Sequence, residues 1–392
     1  MRLLIISHVS HFWHRDSYHA YTPYAREIEI WADLFAEVVI AAPCRDEVPP
    51  ANTCQINRTN VRIAPQREVG GTTWRHKVGI LVALLPLVAS LSREMGNADA
   101  IHVRCPGNLG LLGALLAPLF SRRLIAKFAG QWSDSPQEEW TVRFQRGILR
   151  SAWWRGPVTV YGKKPDQRPH IINFFSSMLT AEQLSRARVS SRIKRLKPPF
   201  RVTYTGRLTR SKNIDVLLRA IATLRADRVP LTATIVGCGP ERDSLEVLAR
   251  HLQIADHVHF AGAVPPEGVL DYLEQSDIFV LVSNTEGWPK AMTEAMAFGL
   301  ICIGSNLGLI PTILGDGRGL TVPPRDGPAL TEALRGITCA PESYEDMRTQ
   351  ASEWAQQFSL ESMRNELRAL LVRSWNLGEA NFPQPCKSSL VE

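Results

Sequence analysis

Short apolar runs alternate along the chain with longer stretches in which apolar residues recur every three or four positions. The runs at 3–8, 37–43, 61–64, 100–103, 124–128 and 158–161 read as strands. The stretches at 25–35, 74–95, 109–119 and 138–154 read as helices. In the first of these, Ile28, Trp31, Ala32 and Phe35 share one face. Near residue 180 the character changes. Residues 180–188 predict a short capped helix, and the run Ser-Ser-Arg-Ile-Lys-Arg-Leu-Lys-Pro-Pro that follows is basic and ends in prolines, as a linker does. The alternation then restarts, with strands at 201–205, 231–236, 257–260, 278–282, 301–304 and 320–322. Helices are predicted at 214–225, 241–252, 267–275, 328–337, 343–357 and 361–374. Strands alternating with helices in this way predict parallel sheets covered by helices. The expected organisation is a domain over 1–197, a second over 198–375 and a loose tail over 376–392, the last helices being free to pack back on the first domain.

Length supports two cores, since 392 residues exceed what one core ordinarily holds. Charge separates the halves: residues 1–190 carry a net +8 and the remainder −1. A basic first domain suits an anionic partner such as a membrane surface or a lipid phosphate, and equally a solvated basic face. Seven scattered cysteines without a CxxC fit a reducing compartment and no metal. The first residues run directly into a strand and do not read as a targeting segment. No run reaches the ~18–20 apolar residues of a membrane span. The closest, 78–91, is broken by Pro86 and flanked by Arg75, Lys77 and Arg93; it predicts a sheet-covering helix, with dipping into a bilayer surface as the second reading.

Chemistry concentrates in the second half. Glu286-Gly-Trp-Pro-Lys-Ala-Met-Thr-Glu294 places one carboxylate on the loop leaving a buried strand and another on the helix that follows. Ligands of open α/β sheets bind at the carboxyl ends of strands. Two further loops leave such ends. One carries Gly206, Arg207 and Lys212; the other is Gly237-Cys-Gly239-Pro. Cations and helix amides suit a diphosphate, while carboxylates accept hydrogen bonds from hydroxyl-rich rings. A nucleotide-sugar has both parts. Plain structural readings stand beside these. Lys290 and Glu294 are four apart and able simply to pair, for ~0.3–0.5 kcal/mol when exposed. Arg207 and Lys212 are placed to cap the next helix, and Gly237-Cys-Gly239 suits a tight turn. In the first half, the loop expected at 9–20 holds His11, His14, Asp16 and His19 with two aromatics between the first two histidines. Substrate contact and packing under neighbouring loops weigh equally there. Neither half has a GxGxxG after a strand, which disfavours a dinucleotide redox site.

Gly206-Arg-Leu with Lys212, Gly237-x-Gly-Pro-Glu-Arg, Glu286-Gly-x-Pro and Glu294-Ala-Met-Ala-x-Gly299, in this order and spacing, resemble the family 4 retaining glycosyltransferases of GT-B fold (glycosyl transferases group 1). The resemblance implies two Rossmann-like α/β domains whose parallel sheets face an interdomain cleft. It implies a sugar passed from a UDP- or GDP-sugar to a glycan or lipid-linked acceptor, in cell-surface polysaccharide or glycolipid synthesis. It places the protein in the cytoplasm or at the inner membrane face. Carried over position by position, Arg207 and Lys212 grip the diphosphate and Glu286 orients the donor sugar. Glu294 holds the ribose, Val264 lies near the base, and the backbone from Gly287 through Trp288, Lys290 and Ala291 to Met292 follows the sugar and phosphates. No metal and no cofactor beyond the donor are implied, because cations and helix amides stabilise the leaving diphosphate.

The first domain departs from that pattern. The loop after its first strand lacks the two glycines that many relatives have, and Ala129 stands where many carry a histidine. His11, His14, Asp16 and Gln131 are the acceptor-side candidates. Two other readings remain open at this level: a nucleotide-sugar 2-epimerase of the same fold, and a non-catalytic sugar-nucleotide-binding partner subunit. Nothing in the pattern points to nucleic acid.

Overall fold

The structure is a computed structural model describing residues 1–68, 74–133, 138–162, 168–378 and 382–383, with backbone course alone at 74–83. The chain forms two compact units. One is Met1–Phe175 with Glu361–Glu392, and the other is Ser176–Leu360.

The first unit contains β1 (Arg2–Ile6), β2 (His11–His14), β3 (Ser17–Tyr21), α1 (Thr22–Leu34), β4 (Glu37–Arg45), β5 (Thr53–Gln55), β6 (Val61–Gln66), α2 (Trp74–Gly96), β7 (Ala100–Cys105), α3 (Asn108–Phe120), β8 (Leu124–Gln131), α4 (Trp140–Arg150), β9 (Val158–Tyr161) and β10 (Ile171–Asn173). Its parallel strands run β6-β4-β1-β7-β8-β9-β10. Both faces are covered, so the strands are apolar throughout: Leu3, Leu4, Ile5 and Ile6 are wholly buried. On β7, Ile101, Val103 and Cys105 pack into the core that holds α3. His102 and Arg104 point the other way, against Trp31 and Glu27 of α1.

The region expected to be a loop at 9–20 is a β-hairpin. β2 pairs antiparallel with β3, whose other side takes β5. Arg15 and Asp16 form the two-residue turn with φ of 48° and 56°. A left-handed pair is what a tight hairpin needs, and Trp13 and Tyr18 meet across it as tilted rings with centroids 4.6 Å apart.

The second unit contains α5 (Ala181–Ile193), β11 (Phe200–Thr205), α6 (Ile214–Ala226), β12 (Leu231–Val236), α7 (Arg242–His251), β13 (Val258–Gly262), α8 (Pro266–Gln275), β14 (Ile278–Leu281), α9 (Lys290–Ala297), β15 (Ile301–Ser305), α10 (Ile310–Leu314), β16 (Leu320–Val322), α11 (Gly327–Cys339) and α12 (Glu345–Ala355). The sheet is wholly parallel, in the order β13-β12-β11-β14-β15-β16. The order reverses between β11 and β14, which makes the loops after those strands the switch-point loops.

The division falls at Ser176 and not near Pro198. Helix α5, with a capping box between Thr180 and Gln183, places Leu184 and Ala187 in the second unit's core. Two basic residues of this stretch are docked. Arg186 binds Asp271 and Glu274, and the buried Lys194 ammonium donates to the carbonyls of Glu274 (2.8 Å) and Ser276 (2.5 Å). Helix α13 (Leu360–Trp375) returns the chain to the first unit. There Arg364 pairs with Asp33 at 3.2 Å and Trp375 Nε1 donates to the Leu124 carbonyl. Beyond it, in the stretch expected to be loose, Phe382 is buried edge-on against Phe35.

Candidate active site

The site begins with the two switch-point loops. After β11 come Gly206, Arg207 and a short 3-10 turn, Arg210–Lys212, ending at Asn213 in the left-handed conformation. The buried Asn213 Nδ2 donates to the Val282 carbonyl at 2.8 Å and to Asn284 Oδ1 at 2.7 Å, and Asn284 N donates to the Ser211 carbonyl at 2.8 Å. One side chain and one amide thus lock the loop after β11 to the loop after β14.

That lock brings Lys212 to Glu286. Lys212 Nζ donates to Glu286 Oε1 at 2.5 Å, and Ser283 Oγ donates to the same oxygen at 2.8 Å. The Ser283 carbonyl accepts from Ser305 Oγ at 2.6 Å, which anchors the loop to β15. Both donors converge on Oε1. Lys212 and Glu286 retain 22% and 13% side-chain exposure, so the pair is held but not sealed. Arg207, expected beside Lys212, is exposed and makes no side-chain bond among the described residues. Its carbonyl accepts from the Tyr204 hydroxyl at 3.0 Å. Burial, and then the Glu286 charge, push that phenol well above its usual range.

Gly237 and Gly239 serve close approach of one loop to another. A Cβ at Gly237, whose φ is 138°, would stand 1.9 Å from the Gly206 carbonyl oxygen, and one at Gly239 would stand 2.3 Å from that of Leu208. The strips are stitched by Leu208 N to the Cys238 carbonyl and Glu241 N to the Leu208 carbonyl. Glycine at both positions is what this close approach of backbone to backbone requires.

The expected run of amides at 287–292 is shorter than the sequence implies. The Lys290 N–H is turned to the Trp288 carbonyl, and the Met292 N–H to the Pro289 carbonyl, each at 3.0 Å. The Met292 side chain is wholly buried in the core. Its apolar thioether belongs there, and its amide closes the first turn of α9. Gly287 and Ala291 have amides without a backbone partner among the described residues. Trp288 packs against Phe358 and Trp354, with centroids at 5.2 and 6.4 Å, and so braces the loop. Glu294 lies half-buried on α9, and Val264 is half-buried after β13.

Each first-unit candidate has its own surroundings. His11 is wholly buried, with Nδ1 against the Val9 carbonyl at 3.0 Å and its ring edge-on to Tyr24. Burial pushes its pKa down to about 4, so its assignment to the acceptor side is corrected: it is a neutral core histidine. His14 is half-buried and its carbonyl accepts from Ser17 Oγ; Asp16 is exposed in the hairpin turn. Gln131 ends β8, with Nε2 donating to Ser133 Oγ at 2.7 Å. Among the described residues no group of three or more His, Cys, Asp or Glu is placed to hold a metal ion.

A buried charge cluster was missed by sequence reasoning. Glu27 of α1 accepts from Arg104 Nη1 at 2.7 Å and from Lys127 Nζ at 2.8 Å, the two cations standing opposite each other on the paired strands β7 and β8. All three residues are buried. Burial alone would raise the Glu27 carboxyl, but the two cations outweigh it and hold it far below the usual range. The available signal was a single cation inside each of two apolar strand runs, Ile-His-Val-Arg104 and Leu-Ile-Ala-Lys127.

Comparison with known proteins bears on this geometry. Residues 187–354, all within the second unit, match the family model "Glycosyl transferases group 1". The chain is 27% identical over 282 residues to a putative colanic acid biosynthesis glycosyltransferase, WcaL, of Salmonella typhimurium, covering 67% of this chain and 65% of that one. It is 26% identical over 309 residues to a GDP-mannose-dependent α-(1-6)-phosphatidylinositol monomannoside mannosyltransferase of Mycolicibacterium smegmatis, covering 72% and 78%. Sucrose-phosphate synthase of Thermosynechococcus elongatus superposes with a TM-score of 0.71 at 19% identity over 96% of this chain and 99% of that one. The two parallel-sheet units are of GT-B type.

Proposed function

We propose that this protein is a retaining glycosyltransferase that moves a sugar from a UDP- or GDP-sugar to a glycan or lipid-linked acceptor, in cell-surface polysaccharide or glycolipid synthesis. The observation that carries the reading is the Lys212–Glu286–Ser283 contact at the switch point, inside the segment that matches the glycosyl transferases group 1 model. Lys212 and Ser283 hold Oε1, which leaves Oε2 to accept from a donor-sugar hydroxyl. The remaining Lys212 protons and the exposed Arg207 face the diphosphate and stabilise charge as the glycosidic bond breaks. The departing phosphate oxygen takes the acceptor's proton on the same face, which retains configuration. Glu294 binds the ribose, and Val264 lies by the base. No metal is required. The names of the two relatives, one for an exopolysaccharide and one for a phosphatidylinositol mannoside, favour an acceptor at the inner face of a membrane, with the enzyme in the cytoplasm and the basic first unit touching anionic lipid.

The test is a panel of UDP- and GDP-sugars with the purified chain, with and without chelator. One donor should raise the melting temperature and undergo slow hydrolysis, unchanged by chelator. Absence of both effects across the panel would overturn the donor assignment, and loss of turnover on chelation would overturn metal independence.

A further inference from the structure

Helix α4 docks on the first unit through Ile148, Leu149 and the buried Arg146, and Gln145 Oε1 accepts from Gly107 N at 3.0 Å. Its other face is exposed among the described residues. Trp140 and Phe144 stand out there at 74% and 50% exposure, followed past the helix end by Trp153 at 43%. Residues 140, 144, 147 and 151 recur at helical spacing and are all exposed. Among the described residues nothing lies within 4 Å of the place a side chain on Gly147 would take.

Trp153 Nε1 donates to the Leu115 carbonyl at 3.2 Å, which carries the strip onto α3, where Leu115, Leu119 and Phe120 are exposed. Six of the fourteen exposed large apolar side chains among the described residues thus belong to this one helix pair and its end. Such a concentration marks an interaction surface. Exposed Arg122, Arg143 and Arg155 accompany it. Over 115–155 there are seven Lys and Arg against three Asp and Glu, and Glu138, one of the three, is paired with Arg146.

Indole rings suit the water–lipid boundary, where the ring meets acyl chains and the N–H stays wet. Arginine lays its stem along apolar surface and sends its head to phosphate. A second copy of the chain is the poorer occupant, because a two-fold contact would set this strip of like charges against itself. We propose that the α4–α3 strip is a docking surface for an anionic bilayer, with Trp140, Phe144 and Trp153 entering the headgroup region. The proposal rests on the lipid-linked acceptor reading for its purpose, though binding is measurable with no sugar donor present.

The test sediments the full chain with phosphatidylcholine vesicles, with and without phosphatidylglycerol. The chain should bind the anionic vesicles, and its partition should fall about tenfold or more in the Trp140→Ala/Phe144→Ala/Trp153→Ala variant. An Arg122→Glu/Arg143→Glu/Arg155→Glu variant should lose the preference for phosphatidylglycerol. Should the aromatic triple not fold, Trp140→Ser alone should weaken binding severalfold with an unchanged melting temperature. Binding that is equal on neutral vesicles, untouched by these changes, or replaced by self-association that the triple abolishes would overturn the proposal. Donor hydrolysis without vesicle binding would sink the docking surface alone; vesicle binding without any donor effect would sink the functional reading alone.

Discussion

Each unit sets a carboxylate against a lysine, Glu27 against Lys127 within a strand of one sheet and Glu286 against Lys212 on loops after the strands of the other, and the two pairs differ in what surrounds them. Glu27 is 6% exposed, and each oxygen has its own cation, Arg104 on Oε1 and Lys127 on Oε2. Glu286 has both of its donors on one oxygen, and its lysine remains partly in water. The first arrangement saturates the carboxylate and fixes the sheet to α1. The second is rigid but incomplete, as a site must be if a ligand is to finish it. A buried ion pair adds little net stability compared with an apolar replacement, yet removal of one partner is severe because the others stay charged and dry.

The contrast fails first, and most visibly, if Glu27→Ala is mild. It should lower unfolding free energy by about 3–5 kcal/mol, read from urea titrations, whereas Glu286→Ala should change it by less than about 1 kcal/mol. Equal losses would mean that the second pair is structural too. Turnover should reverse the order. Glu286→Ala should reduce sugar transfer on the order of 100-fold or more, equivalent to about 2.7 kcal/mol of barrier, while nucleotide binding survives. Loss of nucleotide binding with turnover intact would exchange the roles given to Glu286 and Glu294.

Acid should sharpen the comparison. His11 and His102 are buried, with pKa values pushed down to about 4 and about 3, against ~6.5 for an unfolded histidine. The unfolded chain therefore takes up these protons first. Stability is full above about pH 6.5 and falls as pH drops toward 4 and below. Glu27, also depressed, adds its own loss below the unfolded carboxylate range near ~4.3. Urea midpoints from pH 8 to 4 should decline, and His11→Phe should flatten the upper part of that slope. A flat profile would refute the buried neutral histidines. The smallest expected effect belongs to Ser283→Ala. Loss of one of two bonds to Oε1 should cost about 1 kcal/mol, seen as a few-fold fall in transfer rate, with little change in melting temperature.

The parallel sheets were legible because strands covered on both faces must be apolar from end to end, as 3–6, 231–236 and 278–281 are. Gly206, Lys212 and Glu286 were legible because loops at strand ends carry chemistry without packing constraints. Other features depend on partners distant in sequence. Lys194 read as part of a solvated linker because the carbonyls that hold it, those of Glu274 and Ser276, lie some eighty positions on. The hairpin at 11–21 escaped because Arg15 and Asp16 fill left-handed turn positions where glycine or asparagine is the usual sign. The Glu27 cluster joins three elements with no shared spacing. Met292 looks like one more amide of a binding run, and only the fold shows its N–H turned to the Pro289 carbonyl.

The return of α13 has a consequence for how the chain tolerates being cut. Everything from Ser176 to Leu360 is one uninterrupted segment, whereas the first unit is assembled from both ends of the sequence. Arg364, Trp375 and Phe382 brace Asp33, Phe35 and the start of β8. A stop codon just after Leu360 would leave the sugar-nucleotide candidate residues complete and instead strip support from the sheet at the opposite terminus. Late frameshifts and C-terminal fusions in this protein would therefore be felt as defects of its N-terminal half.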